Sequence, residues 1–98
     1  MKMKTKTKTE KEYTVVLKKK AEKFLDGLSE PNYSAVKTAI LSLAYNPRPF
    51  GYIKLSGSDA CRIRVGNYRI IYDIFDEILT VEVVNIGHRK EIYKNSKL

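Results

Sequence analysis

The dipeptide Gly66-Asn67 is the feature that most constrains this chain, because it separates two runs of β-branched and aromatic residues. A two-residue Gly-Asn connection between such runs is typical of a tight β-hairpin. The predicted strands are Arg62–Val65 and Tyr68–Phe75. Because the loop has only two residues, the strands must pair in one register, with Arg64 directly opposite Arg69.

Alternation along the strands divides this hairpin into two different faces. One face is apolar and is expected to be buried against other elements. It consists of Ile63, Val65, Tyr68, Ile70 and Tyr72. The other face carries Arg62, Arg64 and Arg69. Like charges directly opposed destabilise a strand pair by a few tenths to about 1 kcal/mol, so Arg64 and Arg69 need a compensating anion or acid. Two interpretations are open. In the first, Asp73 and Glu82 satisfy the arginines, or the arginine side chains extend into water. In the second, the cluster is left partly unpaired to hold phosphate bidentately.

Further strands are predicted on both sides of the hairpin. Their segments are Tyr13–Leu17, Tyr52–Leu55 and Ile78–Ile86. Asp76-Glu77 is interpreted as a second two-residue loop. The pairs expected across it are Ile74 with Leu79, Tyr72 with Val81, and Ile70 with Val83. On this register, further residues share the face of the arginines: Ile71, Asp73, Thr80, Glu82 and Val84.

Between the first strand and the hairpin, the hydrophobic period changes to that of an α-helix. A first amphipathic helix is predicted from the apolar stripe Ala21, Phe24, Leu25 and Leu28. A second is predicted from the stripe Val36, Ala39, Ile40 and Leu43. Ser29 or Asn32 is expected to cap the second helix, with Pro31 in its first turn. The predicted fold class is α+β: a single domain in the order β-α-α-β-β-β-β, with an antiparallel sheet and a helical hairpin on one face.

Length and charge limit the possible classes of function. With 98 residues there is room for one core, and no apolar run approaches the roughly 18 residues of a membrane-spanning helix. A net charge of +8 favours a polyanionic partner. Residues 1–12 contribute +3 of it from five Lys and two Glu and are predicted to form a solvated tail, with residues 13–98 as the domain. The single Cys61 and the lack of a secretory leader lead us to expect a cytoplasmic protein.

The segment from Lys54 to Tyr93 resembles the RelE branch of the RelE/ParE toxin superfamily, whose members are toxins of type II toxin–antitoxin systems. The motifs that carry this resemblance are RIRVGNYRIIY and GHRKEIY. The order of strand, two helices and strand-rich half extends it to about residues 13–93. It implies a messenger-RNA interferase that cuts transcripts in the ribosomal A site and is neutralised by a RelB-like antitoxin. It also implies cleavage without metal or cofactor, in which the RNA 2′-hydroxyl attacks and a 2′,3′-cyclic phosphate forms.

The resemblance assigns roles to individual residues. Arg62 and Arg64 match positions that are often Lys in the family and contact the phosphate backbone. Arg69 and Arg89 match arginines that stabilise the pentacovalent phosphorane and the leaving 5′-oxygen. Tyr93 matches a C-terminal Tyr that stacks on a base beside the scissile bond, although packing against the sheet is an open alternative.

Proton transfer needs a different side chain, because a guanidinium stays protonated and is a poor base. His88 is the only His in the chain, and imidazole exchanges protons readily near neutral pH, so His88 is the candidate proton shuttle. The alternative is that it is a polar residue ending the last strand. Lys54 is a further candidate for backbone contact. The predicted catalytic residues are Arg64, Arg69, His88, Arg89 and Tyr93. The predicted RNA-binding residues are Lys54, Arg62, Arg64 and Tyr93.

Two other functions stay open. A ParE-like chain would share the fold but poison DNA gyrase, and it would not need the full set of arginines together with Tyr93. A third hypothesis is a member that binds RNA, ribosome or antitoxin without cutting, because Arg at positions 62 and 64 removes lysine as a possible base.

Overall fold

Five strands and two helices form the fold, which the computed structural model describes for residues 12–91. The strands are β1 Thr14–Leu17, β2 Ile53–Lys54, β3 Cys61–Val65, β4 Tyr68–Phe75 and β5 Thr80–His88. The helices are α1 Lys19–Asp26 and α2 Asn32–Ser42. The α+β class and the element order are confirmed. Residues 1–11 of the predicted tail lie outside the described residues. Within residues 12–91, no helix has the length and apolar character needed to cross a membrane.

The sheet has the strand order β1-β5-β4-β3-β2 and contains one parallel pair. Strand β1 runs parallel to β5, and the other neighbours are antiparallel. Backbone bonds from Thr14 N–H to the Leu79 carbonyl (2.8 Å) and from Lys18 N–H to the Val83 carbonyl (2.9 Å) close this edge. The sheet predicted to be antiparallel is therefore mostly antiparallel, and the pairing of β1 with β5 is the exception. The helical hairpin carries the chain from β1 to β2 at the opposite edge of the sheet, and the last strand, β5, then pairs with β1 in the same direction.

The hairpin of β3 and β4 has the predicted register. Val65 pairs with Tyr68, and Arg64 pairs with Arg69. Gly66 occupies the turn with φ of +58°, a left-handed conformation that glycine adopts without strain. The Gly-Asn signal therefore identified both the turn and the pairing of its flanking residues.

The connection from β4 to β5 differs from the prediction. Asp76–Ile78 forms a short 3₁₀ turn, and Leu79 follows with φ of +47°. Four residues rather than two therefore connect the strands. A two-residue hairpin turn needs positive φ, which Asp-Glu does not readily supply. The predicted pairs were wrong as a result, and the observed ones are Ile74 with Val81, Tyr72 with Val83, and Ile70 with Ile86.

A β-bulge in β5 adds a second change of register. Ile71 pairs with Asn85 but Tyr72 pairs with Val83, so Val84 is the extra residue. Because one inserted residue reverses the alternation, the side chains after the bulge face the opposite side from that expected of an uninterrupted strand. His88, which pairs with Tyr68, is affected by this reversal.

The main core lies between the helices and one face of the sheet. Its buried members are Ala21, Leu25, Val36, Ile40, Leu43, Cys61, Ile63, Ile70, Tyr72, Val81, Val83 and Ile86. Both predicted helical stripes thus pack on the predicted apolar face. The predicted caps of α2 were wrong: Pro31 precedes the helix, and the Glu30 carboxylate accepts hydrogen bonds from Ser34 N–H (3.2 Å) and Ser34 Oγ (2.8 Å).

A second, smaller core lies on the other face of the sheet. The connection from β2 to β3 folds over this face, and its Leu55 and Ala60 pack against Ile71 and Val84. Ile71 is fully buried there. The middle of this face, which was expected to be exposed, is therefore covered, and Arg64 is exposed at the end near the β3–β4 turn.

Candidate functional site

The face of the sheet that carries Arg62, Arg64 and Arg69 is called the arginine face. Arg64 is exposed, whereas Arg62 and Arg69 are half-buried. Residues next to a two-residue loop exchange both backbone hydrogen bonds. Arg64 and Arg69 are therefore the next, non-hydrogen-bonded pair, in which Cα atoms lie roughly 4.5 Å apart. Two positive side chains leave the sheet almost side by side.

The guanidinium of Arg69 folds over the turn. Its Nη1 donates to the carbonyl oxygens of Gly66 (3.3 Å) and Tyr68 (3.2 Å). These bonds hold the positive charge of Arg69 at the end of the sheet. Within residues 12–91, Arg64 makes no ion pair. The end of the hairpin therefore carries two guanidinium groups, of which that of Arg64 is exposed to solvent.

Arg89 lies at the same turn. Its backbone N–H donates to the carbonyl of Asn67 at 2.7 Å, which extends the β4–β5 ladder one step beyond His88. Gly87, two residues earlier, pairs with Arg69, so the backbone of Arg89 lies beside the β3–β4 turn, immediately after β5 ends at His88. The structure thus brings Arg64, Arg69 and Arg89 to one end of the sheet.

The two carboxylates on this face lie further along the strands. Asp73 pairs with Glu82, four residues along β4 from Arg69, which corresponds to about 13 Å. Burial, followed by the charge of Glu82, raises the pKa of the Asp73 carboxyl. The acids therefore face each other near the β4–β5 end of the sheet, away from the turn that carries the arginine pair.

His88 lies on the helix side of the sheet, opposite to the arginine face. Its ring contacts Tyr68 edge to face, with centroids 5.8 Å apart, and Tyr68 in turn contacts Phe24 at 6.1 Å. Its Nδ1 accepts a hydrogen bond from the backbone N–H of Lys90 at 3.3 Å. The structure does not bring His88 together with the arginines.

Lys54 is also separated from the arginine cluster. It pairs with Cys61 at the far end of β3, and its Nζ lies 3.6 Å from the Asp59 carboxylate. Cys61 is buried, and burial raises the pKa of its thiol. Both residues line a cavity of about 640 Å³ with Arg48. Tyr93 lies outside the described residues. Among residues 12–91, no three His, Cys, Asp or Glu side chains are grouped as a metal site.

Sequence reasoning missed one exposed side chain close to the arginine face. Phe50 lines a groove of about 300 Å³ between α2 and β3, and Arg64 lines the same groove. The only signal in the sequence is an aromatic residue between Pro49 and Gly51, which are typical turn residues.

The fold and the clustered arginines define the class of protein as a RelE-like toxin domain. A family model described as "ParE toxin of type II toxin-antitoxin system, parDE" matches residues 15–93. The chain belongs to this family of ParE toxins of type II toxin–antitoxin systems. No curated protein matches it.

Solved structures locate the chain more closely within that superfamily. It is similar to a chain of the archaeal RelE-RelB complex from Pyrococcus horikoshii OT3, with 29% identity, 81% of this chain and 97% of that chain covered, and a TM-score of 0.71. A chain of the Mycobacterium tuberculosis toxin-antitoxin complex RelBE2 gives 28% identity, 80% and 99% coverage, and a TM-score of 0.67. A chain of the intact E. coli RelBE toxin-antitoxin complex gives 26% identity, with 78% of this chain and 95% of that chain covered, and a TM-score of 0.67. These neighbours support membership of the RelE branch.

Proposed function

We propose that the protein is a messenger-RNA endoribonuclease toxin that cuts transcripts in the ribosomal A site and so inhibits translation. The observation that carries the proposal is the direct opposition of Arg64 and Arg69 at an exposed end of the sheet, with Arg89 at the same turn. Two opposed like charges cost a strand pair up to about 1 kcal/mol. A phosphate bound between them removes that cost, and guanidinium groups match phosphate geometry well.

The chemistry that suits this cluster is stabilisation of charge on phosphorus. In the proposed reaction the RNA 2′-oxygen bonds to phosphorus and the bond to the 5′-oxygen breaks. The 2′-hydroxyl loses a proton and the leaving 5′-oxygen gains one. Arg69 and Arg89 stabilise the charge that grows on the phosphorane and the leaving oxygen, while Arg64 and Arg62 hold the backbone. Tyr93 would stack on a base beside the scissile bond.

His88 has a positioning role in this proposal. Its ring lies on the helix side against Tyr68, and its Nδ1 holds the backbone of Lys90. It therefore supports the strand end that carries Arg89 rather than contacting the phosphate. The proton of the 2′-hydroxyl leaves to solvent water, and the leaving 5′-oxygen takes a proton from solvent water. The catalytic effect comes from the guanidinium charges, without a metal or cofactor.

The proposed partners are messenger RNA, the ribosome and a RelB-like antitoxin, acting in the cytoplasm. Neighbouring structures that are complexes of RelE with RelB support an antitoxin for this chain. The net charge of +8 suits both the nucleic acid and an acidic antitoxin segment.

The test is to add the purified protein to a translating extract and to map the 5′ ends of the transcripts. New ends within codons held in the A site are expected, with a 5′-hydroxyl on the downstream fragment. The cuts should disappear when translation is blocked before the message is loaded. Inhibited translation with intact transcripts contradicts the nuclease and favours the non-cleaving alternative.

Inhibition of DNA gyrase is the second candidate function, and the name of the matching family favours it. On that alternative the protein would leave transcripts intact and produce gyrase-dependent breaks in supercoiled DNA. A DNA relaxation and cleavage assay with purified gyrase separates the two functions, because the proposed nuclease leaves that DNA unbroken.

A further inference from the structure

Phe50 is unusually exposed for a large apolar side chain. Its relative exposure is 108%, compared with 64% for Tyr45 and 54% for Leu41. Single exposed apolar residues are common at protein surfaces and by themselves identify no function. The loop that holds Phe50 and the groups around it are therefore the relevant observations.

The loop that carries Phe50 is held by contacts on both sides. The buried hydroxyl of Tyr72 donates to the Pro47 carbonyl at 2.7 Å, and Tyr52 N–H donates to the Pro49 carbonyl at 3.0 Å. Gly51 has φ of +92°, a conformation that other residues adopt only with strain. The exposed ring thus sits at the tip of a fixed turn, which reduces the entropy that binding would cost.

The turn lies beside the outer edge of β3. Ile53 pairs with Arg62, so continuing this antiparallel pairing by two residues places Gly51 next to Arg64. The groove between the turn and the sheet is lined by Ala39, Ser42, Pro49, Phe50, Gly51, Ile63 and Arg64. Its one charged lining residue among those described is Arg64, so the groove suits an anion.

We propose that Phe50 stacks on a nucleobase of single-stranded RNA whose adjacent phosphate is held by Arg64. This inference rests on the proposed function, in which the arginine face binds RNA. A flat, exposed ring beside a guanidinium is the combination that single-stranded nucleic acids use, because each nucleotide offers both a π-face and a charge. Phe50 then extends the RNA site from the arginine face around the edge of β3.

The test is an affinity measurement on ribosomes programmed with a message whose A-site codon and flanking nucleotides carry 2′-deoxyribose, which prevents cutting. Phe50→Ala should weaken binding by about 5- to 100-fold, the range for losing one base–aromatic stack. Abasic nucleotides are then introduced one position at a time. When the abasic nucleotide is at the stacked position, the affinity of the wild type should fall by the same factor, whereas the affinity of Phe50→Ala should not fall further. If Phe50→Ala binds every abasic message more weakly than the wild type by the same factor, the proposal is overturned.

Substitutions of different shape distinguish stacking from simple apolar contact. Phe50→Tyr should keep the affinity and Phe50→Leu should lose most of it, because Leu has the bulk but no flat ring. Tyr45→Ala is the matched control, an exposed aromatic outside the groove, and should bind RNA like the wild type. If Phe50→Ala keeps its RNA affinity and only binds antitoxin more weakly, the residue is a protein contact and the proposal is wrong.

Failure of this inference can be told apart from failure of the proposed function. A wild type that cuts no transcripts but still shows the base-dependent effect of Phe50→Ala supports the stacking and contradicts the nuclease. A wild type that cuts transcripts while Phe50→Ala binds all messages equally well contradicts the stacking alone. A wild type that does not bind programmed ribosomes contradicts both.

Discussion

Replacing Arg64 by Gln should stabilise the fold while it slows the cutting of RNA. Arg64 is exposed and directly opposite Arg69, so the substitution removes a like-charge contact and little packing. Such a contact is worth a few tenths to about 1 kcal/mol. Since 1 kcal/mol shifts the melting temperature of a domain this size by about 4–8 °C, Arg64→Gln should melt about 1–8 °C higher.

Thermal unfolding at two salt concentrations checks the electrostatic origin of that gain. The Debye length is about 10 Å at 0.1 M salt and about 3 Å at 1 M, so the difference between Arg64→Gln and wild type should shrink at high salt. The double variant Arg64→Gln/Arg69→Gln should gain less than the sum of the single variants, because either substitution removes the same repulsion.

Cutting should fall by about 10²-fold in Arg64→Gln, comparable to removing one donor from an anion-stabilising site. The single-turnover rate on programmed ribosomes is the appropriate measurement. A lower melting temperature for Arg64→Gln would refute the reasoning, because it would mean that Arg64 makes a stabilising contact. Unchanged cutting would show that the exposed guanidinium takes no part in the reaction.

Three further predictions concern other parts of the molecule. Tyr72→Phe leaves the buried Pro47 carbonyl without its 2.7 Å hydrogen bond and should destabilise the protein by about 1–3 kcal/mol in denaturant unfolding, whereas a smaller loss would mean that water replaces the hydroxyl. His88→Gln should leave the single-turnover rate and its pH profile within a few-fold of wild type, and loss of a titrating step would restore His88 as the proton shuttle. Burial and Glu82 raise the pKa of Asp73, so the stability that this carboxyl contributes is present at low pH and is lost as pH rises through the raised pKa. At pH 7, the free energy of unfolding of Asp73→Asn should therefore exceed that of wild type by no more than about 1 kcal/mol. At acidic pH, the two free energies of unfolding should converge.

Much of the fold could be predicted because its signals are local. Gly66-Asn67 specifies its own turn, and a two-residue loop leaves one register for β3 and β4. The helices were recognisable from apolar stripes of period 3.6, and their stripes pack on the predicted face. The direct opposition of Arg64 and Arg69 follows from the turn signal alone, because the register of the hairpin depends on nothing else.

The placement of His88 could not be predicted in the same way. It depends on the four-residue connection before β5 and on the bulge at Val84, and neither has a glycine or other local marker. Since one inserted residue exchanges the two faces of a strand, an error at Val84 is carried to every later position. His88 therefore lies on the helix side of the sheet, although it directly precedes Arg89 in the sequence.

The sequence patterns also did not predict that loops cover part of the sheet. Leu55 and Ala60 bury Ile71 through a contact between segments that have no periodic signal. Phe50 was missed for the opposite reason, since an apolar residue in a turn gives no indication of whether its ring is buried or exposed. Both features depend on the tertiary path of the connections around β2.

In the proposed function, the clustered guanidinium groups at the β3–β4 turn carry the cutting of RNA. The most direct test is the single-turnover rate on programmed ribosomes for wild type, Arg69→Gln and Arg48→Gln. Arg48 is the matched control, because it lies at the other end of the sheet, paired with Asp76 at 2.9 Å. We expect the single-turnover rate of Arg69→Gln to be about 10²- to 10³-fold lower than that of wild type with ribosome binding retained, and the rate of folded Arg48→Gln to be near that of wild type. Equal rates for wild type and Arg69→Gln would contradict this proposal.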